Sequence, residues 1–172
     1  MAELWSFEIE SPQLGAELRS HATKTAQLGH ELRTGVGHTG RVTTVIVGAA
    51  LVRDGKLLAQ QRAWPEEHAG EWELPGGRVE KNESDAFALA RECSEELDVV
   101  ITVGERVGED VPLPGGKVLR IYAAALVSPG DEPRAVEHRA VRWLGPDDLD
   151  DVDWLPADRV LLPAFKALLA SP

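Results

Sequence analysis

The sequence predicts an α/β (α+β) sandwich in which a mixed central β-sheet is flanked by helices, and three observations lead there. Runs rich in β-branched residues recur between 42 and 144, separated by turn residues. The segment 82 to 97 switches to helical spacing, and a second helical stretch closes the chain from Pro156 to Ala170. Strands mixed with two or three helices, without internal repeats or low-complexity tracts, bury their apolar faces by laying helices on a sheet. The 172 residues suit one domain with a short appendage, and 43% hydrophobic with 27% charged residues excludes a disordered or fibrous chain.

Residues 1 to 41 read as an N-terminal extension, helical from about 12 to 33 or mobile. Ser11-Pro12 offers a cap and a first helical position, but Gly15 and Gly29 each weaken a helix by about 1 kcal/mol. Gly35, Gly37 and Gly40 spell G-x-G-x-x-G, yet they precede a strand where a dinucleotide motif must follow one, so they read as a hinge. The main domain, 42 to 172, opens with a strand from Val42 to Val52, a tight turn at Asp54-Gly55 and a second strand from Lys56 to Arg62. Trp64-Pro65 starts a loop, Glu71 to Leu74 is short and extended, and Pro75-Gly76-Gly77 breaks regular structure. In the helix from 82 to 97, Ala86, Leu89, Ala90, Cys93 and Leu97 form one apolar stripe, with Asn82 or Ser84 as its cap. Further strands are expected at 99 to 111, 117 to 127 and 139 to 144.

Charge and cysteine content narrow the function. With 18 Lys and Arg against 29 acids, the net charge of −11 argues against nucleic-acid and anionic-membrane partners. An acidic protein that handles small polyanions needs cations to screen them. One cysteine supports neither an intrachain disulfide nor a cysteine zinc site, and Cys93 on the apolar stripe reads as a small buried hydrophobe. No signal-peptide pattern or long apolar run is present, so a cytoplasmic protein is expected. The acid run at Asp147, Asp148, Asp150, Asp151 and Asp153 lacks the spacing and central glycine of a calcium loop and reads as a solvated surface.

The informative segment is Arg91-Glu92-Cys93-Ser94-Glu95-Glu96. Offsets of three and four share a helix face, so Glu92, Glu95 and Glu96 crowd together beside the apolar stripe. Like charges at that spacing cost about 0.2–0.5 kcal/mol per pair unless a cation joins them, and an all-oxygen set suits Mg²⁺, with Mn²⁺ as its substitute. Together with Gly77 and Glu83 the segment fits G-x5-E-x7-R-E-U-x-E-E-x-G-U, where U is apolar. This resembles the signature of the Nudix hydrolases. Cys93 and Val99 fill apolar positions, while Asp98 stands where the signature has its last glycine. A glycine there suits a left-handed cap, and Asp is among the few residues that tolerate that conformation.

The resemblance implies a Nudix-type sandwich over about 42 to 170 and an enzyme that hydrolyses phosphoanhydrides with a divalent ion. It implies that Glu92, Glu95 and Glu96 bind the ion with the Gly76 carbonyl, and that Arg91 and Glu83 orient those glutamates. Arg91 also stands four residues before Glu95, the spacing of an ordinary helix ion pair. The segments Gln61-Arg62 and Glu71 to Gly77 are similar to the MutT branch, which splits nucleoside triphosphates into monophosphate and pyrophosphate. By that likeness Arg62 contacts phosphate or ribose, Glu73, Leu74 and Gly77 line the substrate site, and Glu137 adds a metal ligand from a loop. His138 beside it offers a further ligand but reads rather as a solvent-exposed neighbour, and Trp72 is open between core packing and stacking.

Base choice is expected at Asp158 in Trp154-Leu155-Pro156-Ala157-Asp158. An ionised carboxylate only accepts hydrogen bonds, which favours the cytosine amine over the mixed edge of guanine. The segment resembles the cytidine-specific members most, which implies CTP, dCTP or 5-substituted dCTP as substrate. The alternatives are an 8-oxo-dGTP housecleaning enzyme, a nucleoside-diphosphate sugar (ADP-ribose) pyrophosphatase, and a non-catalytic nucleotide sensor. The protein is expected as a monomer or a homodimer.

Overall fold

The computed structural model describes residues 43 to 171. The extension, with its expected helix and glycine hinge, lies outside them. Strand β1 (Thr44–Arg53) turns through Asp54 and Gly55, both at positive φ, into β2 (Lys56–Gln61). The pairs Val52 with Leu57 and Arg53 with Lys56 make this the expected two-residue hairpin. After a loop come β3 (Trp72–Glu73) and β4 (Gly76–Arg78), then helix α1 (Asp85–Leu97). Strands β5 (Ile101–Arg106), β6 (Val111–Leu113), β7 (Lys117–Leu126) and β8 (Ala140–Leu144) follow, and α2 (Pro156–Val160) and α3 (Leu162–Leu169) close the chain.

The sheet is mixed, as expected. The order β3-β2-β1-β7-β5 forms its spine, with β4 paired to β1, β6 to β7 and β8 to β2. Strand β1 runs parallel to β7 and antiparallel to β2 and β4. Its side chains alternate between two cores because the strand period is two. Val47, Ala49 and Leu51 pack with Leu58 against Ala88, Leu89, Cys93 and Leu97 of α1. Ala50 faces the other way, into a core with Leu57, Ala59, Trp154, Leu161 and Phe165. Trp72 packs at the border of this second core, bonding through its backbone to Asp153 and Leu155. Core packing is therefore its role.

Three expected elements differ from the structure. The run 99 to 111 is two strands, because the chain turns at Gly108 with φ 70° before β6. The terminal helix is split at Leu161, since Pro163 has no N–H to give the carbonyl four residues back. Helix α1 starts three residues late, capped by Ser84, whose Oγ accepts the Phe87 amide at 3.2 Å. Asn82 instead takes a positive φ of 69° in the preceding turn. At the other end Asp98 does adopt the left-handed cap, φ 57° and ψ 42°.

Hydrogen bonds tie the two ends of α1 to a strand and to a loop. Asp85 in its first turn accepts from Arg120 and Tyr122 of β7, each at 2.8 Å. At its last turn the carbonyls of Glu96 and Leu97 accept the amides of Val136 and Arg134, both at 3.0 Å. The second contact hangs the loop 131 to 139 over the C-terminal end of the helix.

Candidate active site

The acids of α1 divide between two environments. On one side Arg91 gathers five acceptor oxygens. Its Nε and Nη2 donate to the two oxygens of Glu83 at 3.0 and 3.1 Å, and Nη1 donates to Glu92 at 2.9 Å and Glu95 at 3.2 Å. Nη2 also donates to the Arg78 carbonyl at 3.2 Å. Arg91 is thus both the helix ion-pair partner of Glu95 and the shared donor to Glu83 and Glu92. Its guanidinium holds the Glu83 carboxyl below the ordinary range, whereas burial raises that of Glu92.

On the other side Glu96 turns inward, with only 10% of its side chain exposed. One carboxylate oxygen accepts from Gln60 Nε2 and from the Gly76 amide, both at 2.9 Å. Burial pushes its carboxyl up to about 7 despite these bonds. Gly76 sits at φ 150°, and a Cβ there would meet the Val47 carbonyl oxygen at 2.0 Å. At Gly77 a Cβ would stand 2.4 Å from the Glu92 carboxylate. Gly76 is needed for β4 to lie against β1, and Gly77 leaves room for the Glu92 carboxylate.

A cavity of about 160 Å³ opens beside Glu96, and Arg62, Glu73, Gly76, Glu137 and His138 contribute to its walls. Arg62 Nη1 donates to both oxygens of Glu73 at 2.7 Å, and His138 Nε2 lies 3.0 Å from Glu73 Oε1. His138 is the main correction here. Only 9% of its side chain is exposed, because the bond from the Arg139 amide to the Gln61 carbonyl at 2.8 Å draws the loop inward. Its Nδ1 has no partner and stands 3.9 Å from Glu96 Oε1. Gln60, fully buried under Glu96, is a site residue that no motif in the sequence marks. Its place follows from strand alternation, since Leu58 on the same face also points toward α1. Glu137 is exposed at the cavity mouth.

Asp158 and Leu74 are not among the residues that line this cavity. The Leu74 amide donates to Asp158 Oδ1 at 3.2 Å, and both residues are buried. Burial pushes the Asp158 carboxyl up to about 7, so both its protonated and ionised forms are populated at neutral pH. Cys93 is buried, with its thiol raised to about 12 by burial, which leaves it unreactive. The Asp147 to Asp153 run is a surface turn: Asp148 accepts the Gly145 amide, while Asp150 and Asp153 pair with Lys166 and Arg159.

Among the described residues no three His, Cys, Asp or Glu side chains converge as a ready-made metal cage. The reason is geometric: Arg91 holds Glu92 and Glu95, while Gln60 and Gly76 hold Glu96. The donors nevertheless fit a hard divalent cation. All are carboxylate or backbone oxygens, and burial penalises the ionised forms of Glu92 and Glu96, a penalty that a cation offsets. A bound ion would supply charge neutralisation at a phosphoanhydride.

Comparison with known proteins agrees with this geometry. The NUDIX domain family model matches residues 42 to 165. A Mycobacterium tuberculosis protein named "Putative 8-oxo-dGTP diphosphatase 2" is 48% identical over 118 residues, 67% of this chain and 82% of that one. The CTP pyrophosphohydrolase of Escherichia coli K12 is 39% identical over 126 residues, 73% of this chain and 93% of that one. Among solved structures, the Escherichia coli ORF135 protein superposes with a TM-score of 0.63 at 38% identity, covering 74% of this chain and 91% of that chain. A MutT NUDIX hydrolase from Burkholderia pseudomallei gives 0.58 at 33% identity, covering 71% and 97%. By its signature, its sheet and these relatives, the chain belongs to the Nudix hydrolases.

Proposed function

We propose that this Nudix hydrolase is a Mg²⁺-dependent nucleoside triphosphate pyrophosphohydrolase that releases nucleoside monophosphate and pyrophosphate and prefers cytidine nucleotides. Mn²⁺ substitutes for Mg²⁺ because both are hard, oxygen-seeking ions. The observation that carries the reaction is Glu96, a buried carboxylate against the Gly76 amide at the edge of a cavity lined by Arg62 and Glu137. In this reading Glu92, Glu95, Glu96, Glu137 and the Gly76 carbonyl hold the ion, Arg91 and Glu83 position the glutamates, and Arg62 meets the phosphates. The domain is 42 to 172, and residues 1 to 41 form a separate extension.

Cytidine preference is supported by 39% identity to a CTP pyrophosphohydrolase over nearly its whole length and by Asp158 beside Leu74. A carboxylate there accepts from the cytosine amine. One observation favours a second reading. Raised to about 7, Asp158 also exists as an acid that donates, which suits an oxidised guanine, and the 48% relative bears that substrate's name. A cytoplasmic location belongs to the proposal and rests on the lone cysteine and the nucleotide substrate. No helix among the described residues is long and apolar enough to cross a membrane.

The test is a panel of CTP, dCTP, 5-substituted dCTP, 8-oxo-dGTP and ADP-ribose with Mg²⁺ in ¹⁸O-water, products resolved. The expected result is CMP plus labelled pyrophosphate, with kcat/KM highest for cytidine nucleotides. Highest kcat/KM on 8-oxo-dGTP overturns the base assignment alone. Preference for ADP-ribose, or binding without turnover, overturns the reaction.

A further inference from the structure

Trp64 stands out among the described tryptophans. It is 68% exposed, whereas Trp154 is 1% exposed and Trp72 and Trp143 are partly buried against the two cores. An indole left in water forgoes the burial that usually places tryptophan in a core. Yet Trp64 lines the cavity of the site, two residues from Arg62 and in the same lining as Glu137 and His138. The cavity's remaining lining is Ala63 and the polar residues and glycine described above, so Trp64 supplies its one large hydrocarbon face.

The loop bearing it is closed at its base. The Arg62 amide donates to the Glu71 carbonyl at 2.9 Å, the Gly70 amide returns a bond to the Arg62 carbonyl at 3.0 Å, and Gln61 Nε2 donates to the Gly70 carbonyl at 2.9 Å. Farther out, the His68 amide donates to the Pro65 carbonyl at 3.0 Å and His68 Nδ1 lies 2.6 Å from Glu71. Trp64 is thus presented from an internally bonded loop. The one described aromatic of similar exposure, Phe87 at 67%, lies instead on the first turn of α1 beside Asn82 and Ser84, away from this cavity.

We infer that Trp64 is a substrate-binding residue whose indole stacks on the nucleobase at the mouth of the site. This role rests on the proposed nucleotide substrate. The acids along the cavity suit metal-bound phosphates and repel a second anion, whereas a neutral aromatic ring meets no such repulsion at the indole. Stacking tolerates any base, so Trp64 sets affinity for nucleotides as a class while base identity is read elsewhere.

The experiment compares the full-length parent with Trp64→Ala, Trp64→Phe and, as a surface control, Phe87→Ala. Measured are kcat and KM for CTP, inhibition by tripolyphosphate as a baseless probe, and intrinsic fluorescence during CMP titration. Trp64→Ala is expected to raise KM about five-fold or more, the size of losing one base–aromatic stack, with kcat within about two-fold. Trp64→Phe recovers most of the affinity, Phe87→Ala matches the parent, tripolyphosphate inhibits all four alike, and the fluorescence change on CMP is lost in Trp64→Ala. An unchanged KM in Trp64→Ala, or an equal weakening of tripolyphosphate, overturns the inference. If the parent binds CMP with a Trp64-dependent signal but hydrolyses no triphosphate, the proposed reaction fails and the stacking role stands.

Discussion

Glu95 and Glu96 are neighbours on one helix and live under opposite rules. Glu95 is 53% exposed and shares a guanidinium with Glu83 and Glu92, while Glu96 is 10% exposed and bonds only to neutral donors. The Arg91 cluster carries its own countercharge. The Glu96 pocket has none of its own on that carboxylate, and its nearest cationic candidate, His138 Nδ1, stands 3.9 Å away. The helix is therefore organised by Arg91 but left electrostatically incomplete at Glu96. That incomplete side faces the cavity, which is where the proposed divalent ion would sit.

The greatest consequence of this contrast falls on turnover. Glu96→Gln removes the uncompensated carboxylate and is expected to lower kcat by about 10³-fold, within the range of losing a key electrostatic group. Its folded stability should not fall, since a neutral amide lacks the desolvation cost. A loss of stability without loss of rate would undo the contrast between the two glutamates.

The next effect is on stability through Asp158, the other buried acid. Its carboxyl is raised from an ordinary value of 3.8 to about 7, so the unfolded chain gives up this proton first as pH rises. Its contribution is therefore fully present below about pH 4 and is lost as pH climbs through 7. Asp158→Asn is expected to gain on the parent over that window by a few kcal/mol, since a tenfold difference in proton affinity is worth about 1.4 kcal/mol. Urea unfolding of both proteins at intervals from pH 4 to 8 checks this. A difference that does not change with pH contradicts the burial argument.

Arg91→Ala frees Glu83, Glu92 and Glu95 together and is expected to cost about 10- to 100-fold in kcat or in Mg²⁺ requirement, the usual range for residues that orient ligands. Excess Mg²⁺ should recover part of the loss, whereas Glu96→Gln should recover little. The least change belongs to Asp98. Asp98→Gly relieves a left-handed residue but breaks its pair with Arg134, both groups being largely exposed. The two changes oppose each other within about 1 kcal/mol, which a thermal melt resolves. A larger loss would show that this pair anchors the loop carrying Glu137.

What is legible in the sequence is what is local. The spacing from Glu83 through Glu96 puts Arg91 and the three acids on one helix with Glu83 just before it, and the αL cap at Asp98 follows from residue chemistry. The mixed sheet follows from strand runs and turn residues. Contacts across long sequence distances are not legible. Gln60 reaches Glu96 over 36 positions, and the burial of His138 depends on where the 131 to 139 loop is pinned. The division of the acids into a compensated and an uncompensated half is therefore a property of the fold. The splitting of the last helix is different, because Pro163 and its missing N–H are a local signal that the sequence does carry.

That Glu96 and a divalent ion together open a phosphoanhydride is best tested by pyrophosphate release from CTP across a Mg²⁺ titration in parent and Glu96→Gln, with excess chelator as the zero point. The prediction is a saturable Mg²⁺-dependent rate in the parent, no rate under chelator, and a loss of about 10³-fold in the variant. Release that persists under chelator, or a variant that matches the parent at every Mg²⁺ concentration, would contradict it.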